Sequence, residues 1–133
     1  MTDRPHLGSE DPEARRAAEL LVGELQRGWD ERDADVTDRR LADDVIWGSP
    51  FGAHVESYPV LHEIHVRMKA TRKSAPSRFE LVCAVEIAPG VALAHVRRVS
   101  LAGDDFSELA MYVLVGRDGA WWVAAGHHTP VRG

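Results

Sequence analysis

At 133 residues, 44% hydrophobic and 28% charged, the chain has the make-up of one globular domain. Its 16 basic and 21 acidic side chains leave a net charge of −5, so the basic face that general nucleic-acid binding needs is not expected. No apolar run reaches the roughly 18 residues of a membrane span, and a single cysteine, Cys83, excludes an internal disulfide.

The polar stretch from Met1 to Asp11 has no apolar signal core, which makes the cytoplasm the expected compartment. Residues 1–10 read as a loose tail, and residues 11–133 as the domain. Asp11-Pro12-Glu13 is a helix start: a capping Asp, a Pro in the first turn and an acid near the positive end. Ala14, Ala18, Leu21, Leu25 and Trp29 then form one apolar stripe on a helix over about 12–29. Asp33 caps a second, short helix reaching about Leu41, interrupted by Arg39 and Arg40. Asp43 to Trp47 reads as a turn and short strand, and Gly48-Ser49-Pro50-Phe51-Gly52 as a loop. Pro59 opens a third helix over about 59–71, whose stripe is Leu61, Ile64, His65 and Met68; residues 72–77 are a polar connection.

The pattern then changes period. Strands are predicted over about 78–88, 91–101, 107–116 and 121–128, broken at Pro89-Gly90, Gly103-Asp104-Asp105 and Asp118-Gly119. Glycine and aspartate at these breaks accept the positive φ of tight hairpin turns. Helices followed by a meander imply an α+β fold with the helices on one face of the sheet. Cys83, inside an apolar strand, is expected to be buried as a small hydrophobe.

Several segments together resemble the nuclear transport factor 2-like superfamily, and its SnoaL-like proteins in particular. Trp29 to Ala34 matches a "W-x-x-x-D-A" helix corner. Leu41 to Trp47 matches "ADDV-x-W" before the first strand, Pro50-Phe51-Gly52 the loop after it, and Arg117 to Pro130 the final hairpin. The nearest group is the SgcJ/EcaC group, often encoded beside antibiotic biosynthesis genes. The resemblance implies a cone-shaped α+β barrel, with three N-terminal helices on a curved antiparallel sheet around a pocket. It implies no one activity, since the fold hosts isomerases, cyclases, dehydratases, carriers and scaffolds.

Hairpin register decides which side chains share a face. With Gly103-Asp104 as a two-residue loop, His95 pairs with Tyr112, Arg97 with Ala110 and Val99 with Glu108, so His95, Arg97, Tyr112 and Glu108 cluster. The last hairpin has two readings. A two-residue turn at Asp118-Gly119 puts Tyr112 opposite Ala125, beside Trp121 and His127; a three-residue turn with a bulge puts it opposite Ala124, beside Trp122 and His128. The association domain of calcium/calmodulin-dependent protein kinase is similar here. It carries pocket arginines at the positions of Arg97, Tyr112 and His128, which favours the second reading.

His65, His95, Arg97 and Tyr112 are the candidate catalytic residues: histidine exchanges protons near neutral pH, while Arg and Tyr stabilise charge on oxygen. The bland alternative for the strand residues is a solvated face. Trp29, Trp47, Phe51 and Trp122 are the candidate aromatic wall for a flat apolar ligand, completed by His127 or His128. His62-Glu63-Ile64-His65 lacks the spacing of the zinc signature, and no metal or cofactor is expected. The expected partners are a small-molecule ligand and a second copy of the chain, docked through an apolar sheet face of Leu109, Met111, Val113 and Val115. Three roles remain open: enzyme, ligand carrier or assembly domain.

Overall fold

The computed structural model describes residues 3–71, 75–103 and 105–132. Helix α1 (Pro12–Asp30) starts where the Asp11 carboxylate accepts the Ala14 N–H at 2.9 Å, and buries Ala14, Ala18, Leu21 and Leu25. Helix α2 (Ala34–Thr37) is capped by Asp33, whose carboxylate accepts from the Asp35 and Val36 N–H groups. It is shorter than the sequence suggests, because Arg39 and Arg40 turn back onto α1. There the Glu24 carboxylate, itself buried, accepts from Arg40 Nε at 2.9 Å and from Arg39 at 3.4 Å. Helix α3 (Tyr58–Thr71) follows two strands, β1 (Leu41–Gly48) and β2 (His54–Glu56). The second of these comes after the stretch read as a loop. Of the polar connection expected over 72–77, residues 72–74 lie outside the described residues.

Four long strands complete the domain: β3 (Ser77–Ala88), β4 (Val91–Ser100), β5 (Ser107–Arg117) and β6 (Ala120–Val131). The sheet order is β2-β1-β6-β5-β4-β3. All neighbours are antiparallel except β1 and β6, which run parallel, so the sheet is mixed rather than wholly antiparallel. It curves under the helices on one side and stays open between its edges β2 and β3, so the cone is not a closed barrel. Within the stretch read as a loose tail, Ser9 exchanges two backbone hydrogen bonds with Glu86 on edge strand β3. No helix among the described residues is long and apolar enough to cross a membrane.

Two of the sheet's register shifts decide the facing of residues in β3 and β6. In β3, Val82 is the extra residue between the pairs Leu81–Val96 and Cys83–His95. The slip turns Cys83 outward, and the thiol expected in the core is exposed. In β6, Ala124 is the extra residue between the pairs Leu114–Val123 and Val113–Ala125. The turn before it is the two-residue kind, with positive φ at Asp118 (54°) and Gly119 (79°). The bulge then shifts the pairing further along, so Tyr112 lies opposite Gly126 and Ala110 opposite His128. Neither predicted register holds over the whole hairpin. A Cβ on Gly126 would sit 2.8 Å from the Trp47 ring, so only glycine lets that indole lie across β6.

Candidate functional site

Between the helices and the concave side of the sheet lies a cavity of about 780 Å³. Trp29 from α1, Trp47 from β1, Leu61, Ile64 and Met68 from α3, and Phe79 and Val96 from the sheet give it apolar walls. Phe51 and Phe106, from the loops after β1 and β4, meet edge-on at 5.7 Å, and both line it. Its polar groups come from α3 (His65, Lys69), β4 (Arg98), β5 (Glu108, Tyr112) and β6 (His128). An apolar chamber with a few convergent polar groups is the usual form of a small-molecule site.

The first polar group is a buried carboxylate bridge. Asp38, at the C-terminal end of α2, is 1% exposed, and its two oxygens accept from His65 Nδ1 at 2.7 Å and His62 Nδ1 at 2.9 Å. His62 continues through its Nε2 to the surface carboxylate of Asp35 at 2.9 Å. A carboxylate accepts only, so His65 carries a proton on Nδ1, and its neutral form presents the lone pair of Nε2. Among the described residues Nε2 has no hydrogen-bond partner, and the ring, edge-on to Trp47 at 5.6 Å, lines the cavity.

The second group is Tyr112–His128. His128 Nδ1 donates to the Gly48 carbonyl at 3.1 Å, which leaves Nε2 to accept the Tyr112 hydroxyl proton at 2.9 Å. Burial lowers the His128 pKa, only partly opposed by the charge of Glu108 and the Gly48 carbonyl, so the ring stays neutral. Burial also raises the Tyr112 pKa far above its ordinary value, with the charges of Glu108 and Asp38 adding to it. The tyrosine is therefore held as a proton donor.

The third group is Arg98, 4% exposed. Its guanidinium donates to Glu108 at 2.6 Å, to Ser77 Oγ at 2.9 Å and to the Phe106 carbonyl at 2.9 Å, and its carbon stands 4.6 Å from the Trp29 ring centroid. These bonds tie the β4–β5 connection to the sheet and explain the register there. Arg98, not Arg97, lies near Glu108, and Ala94, not His95, lies opposite Tyr112. The Asp105 N–H does donate to the Ala102 carbonyl at 3.3 Å across Gly103-Asp104, but the ladder stops short of this turn: its last pair is Arg98–Glu108, and Ser107 Oγ accepts the Ser100 N–H at 3.0 Å. Asp104 itself is outside the described residues.

That slip of one residue moves two candidates to the other face. His95 and Arg97 lie on the outer side of the sheet, where His95 is opposite Met111 and Arg97 pairs with Glu80 at 3.7 Å. The structure does not bring them together with Tyr112. Trp122 also faces outward, 40% exposed, as does His127, which borders a shallower groove on that side with Ile46, Met111 and Val113. His65, Tyr112, Trp29, Trp47, Phe51 and His128 do share the cavity.

Arg98, Lys69 and Glu108, which line the cavity, and Asp38, which lies behind His65, are the groups that sequence reasoning passed over or ranked low. Asp38 sits in the run Asp35 to Arg40, which reads as a solvated charged stretch. A signal did exist: His62 and His65, three apart on one helix, share a face and can meet one partner. Arg97-Arg98 are adjacent and so occupy opposite faces, and only the register selects between them.

No family model matches the sequence, and no curated protein matches it. Solved structures do resemble it. A domain of unknown function with a cystatin-like fold from Nostoc punctiforme superposes with a TM-score of 0.81 at 13% identity, over 93% of this chain and 81% of that one. A nuclear transport factor 2-like protein of unknown function from Pseudomonas putida gives 0.76 at 20% identity, covering 91% and 89%. A ketosteroid isomerase-like protein from Erwinia carotovora gives 0.74 at 13% identity, covering 92% and 100%. With the sheet order and the chamber beneath the helices, these likenesses show that the chain has the nuclear transport factor 2-like fold.

Proposed function

We propose that the chain is a small-molecule protein that binds a flat, mainly apolar compound bearing a carbonyl and moves a proton on it, as in an isomerisation or dehydration. The observation that carries the reading is the buried Asp38 carboxylate fixing His65 with its basic Nε2 toward the cavity. In the proposed step, His65 Nε2 takes a proton from the carbon beside the carbonyl. The bonding electrons pass to the carbonyl oxygen as an enolate, and the imidazolium formed is stabilised by Asp38, which stays ionised. The enolate oxygen competes with His128 Nε2 as acceptor of the hydrogen bond that the Tyr112 hydroxyl donates. Return of the proton from His65 to a different carbon completes an isomerisation without any co-reactant. The solved protein described as ketosteroid isomerase-like is consistent with this class of chemistry. His95 and Arg97 have no part in it, because they face away from the chamber.

The test is proton exchange. 2-Tetralone and related cyclic ketones and enones are incubated with the protein in D2O, and deuterium uptake beside the carbonyl is followed by NMR. The wild type accelerates exchange, His65→Gln lowers the enzyme-dependent rate by about 10²- to 10⁴-fold, and His95→Gln and Arg97→Gln leave it unchanged. Equal exchange in wild type and His65→Gln refutes the mechanism. Ligand that binds and is recovered without exchange supports a carrier instead, for which the Arg98 donors, committed to protein acceptors, argue.

The finer resemblance, to the SgcJ/EcaC group of SnoaL-like proteins, points to a polyketide or other natural product as the compound class, in the cytoplasm. The outward side chains of Leu109, Met111, Val113, Val115 and Trp122 are the surface on which a homodimer would form. Light scattering on the wild type and on Met111→Asp tests that arrangement.

A further inference from the structure

Among the described residues two strong cations line the chamber, and they differ in their surroundings. Arg98 is matched by Glu108 at 2.6 Å and Asp105 at 3.6 Å. Lys69 is not matched: among the described residues no carboxylate lies within ion-pair distance of its ammonium. Its hydrogen bond is a long one, 3.3 Å, to the Gly28 carbonyl near the end of α1. Among the described residues one ammonium proton is thus used and two have no acceptor. The Nζ also stands 5.6 Å from the Trp29 ring centroid.

Such a cation carries a desolvation cost that no ion pair among the described residues offsets. Its pKa is lowered by that burial, against the opposing charge of Asp38. An anion arriving in the chamber would remove the cost. Lys69 is also one helical turn beyond His65 on α3, and both side chains line the chamber. Residues four apart share a helix face, with Cβ atoms roughly 5–6 Å apart.

From the chamber geometry we infer that Lys69 is an anion subsite, and that the ligand is an aromatic or alicyclic carboxylic acid. Its carboxylate would sit on the Lys69 ammonium, its apolar body against Trp29 and Trp47, and the carbon that gives up a proton would lie at His65 a few bonds from the acid. A monoanion fits better than a phosphate, since one ammonium with two remaining protons cannot satisfy a dianion with three acceptor oxygens. The inference rests on the chamber being a ligand site, and it adds the charge of the ligand.

The test uses matched compounds that differ only in charge: 2-naphthoate against 2-naphthamide, and cinnamate against cinnamamide. Binding is measured by calorimetry at pH 7.5 with the wild type, Lys69→Met and Lys69→Arg. The wild type prefers the acids by about tenfold or more, the scale of one charge-assisted hydrogen bond in a partly buried site. Lys69→Met binds acid and amide equally with unchanged amide affinity, which also shows that the chamber is intact. Lys69→Arg keeps the preference for the acid. Equal binding of acid and amide by the wild type, or a preference that survives Lys69→Met, overturns the subsite and leaves the ligand chamber standing. Failure of all four compounds to bind counts against the chamber itself, and the subsite falls with it.

Discussion

Removing the Asp38 carboxylate is the most direct test of how the site is built. The group is 1% exposed and accepts two histidine N–H bonds, at 2.7 Å and 2.9 Å. Each hydrogen bond to a charged group is worth about 1.5–3 kcal/mol, so Asp38→Ala is expected to cost about 3–6 kcal/mol before relaxation. That is a large share of the roughly 5–15 kcal/mol by which a domain is stable. The outer link from His62 to Asp35 does not compensate, because Asp35 is 83% exposed and such pairs contribute little. Asp38→Asn keeps the shape and one acceptor. Its amide N–H₂ then faces the other Nδ1–H, and one ring must change tautomer. About half the loss is expected, together with loss of the fixed His65 Nε2 lone pair. Urea unfolding followed by the fluorescence of the four tryptophans measures both costs, and proton-exchange activity measures the tautomer. If both variants unfold within about 0.5 kcal/mol of wild type, the level of an inert surface change, Asp38 is not the buried anchor described above.

The β4–β5 register predicts opposite outcomes for adjacent residues. Arg98→Met strands the Glu108 carboxylate and is expected to cost about 3–5 kcal/mol, whereas Arg97→Met, at a side chain 47% exposed, changes stability by less than about 0.5 kcal/mol; the reverse order in urea melts would mean the register is wrong. Gly126→Ala drives a methyl into the Trp47 ring and is expected to cost about 1–3 kcal/mol and to reduce binding in the chamber, whereas an unchanged urea midpoint would show that the indole does not lie across β6. Because burial lowers the His128 pKa from 6.5, the unfolded chain binds the extra proton first as the medium is acidified. Stability therefore falls as pH drops below about 6.5, towards the lowered folded-state value. His128→Gln removes that contribution, so its urea midpoint declines less steeply between neutral and acid pH than that of wild type. Parallel declines would show that His128 is not a buried neutral ring.

Much of the architecture was legible because it rests on local rules. Asp11 and Asp33 announce their helices as caps, the α1 stripe recurs at helical spacing, and Asp118-Gly119 supplies the positive φ of a two-residue turn. The period change after residue 77 separates helices from sheet, and with the resembling segments it leads to the fold. His65 and Tyr112 were legible for the same reason, as positions on a stripe and on a strand.

What the tertiary structure decided is which residues meet. Val82 and Ala124 bulge out of their ladders, and each shifts the side chains beyond it to the opposite face. The Arg98 guanidinium, held by Glu108, Ser77 and the Phe106 carbonyl, goes with a β4–β5 pairing one residue away from the one the turn composition suggests. That single step exchanges His95 and Arg97 for Ala94, Val96 and Arg98 beside Tyr112. Asp38 gains its meaning only when α3 folds across α2 and brings His62 and His65 to it. Strand side chains alternate with a period of two, so a face is a parity, and parity is fixed by long-range contacts that no local window contains.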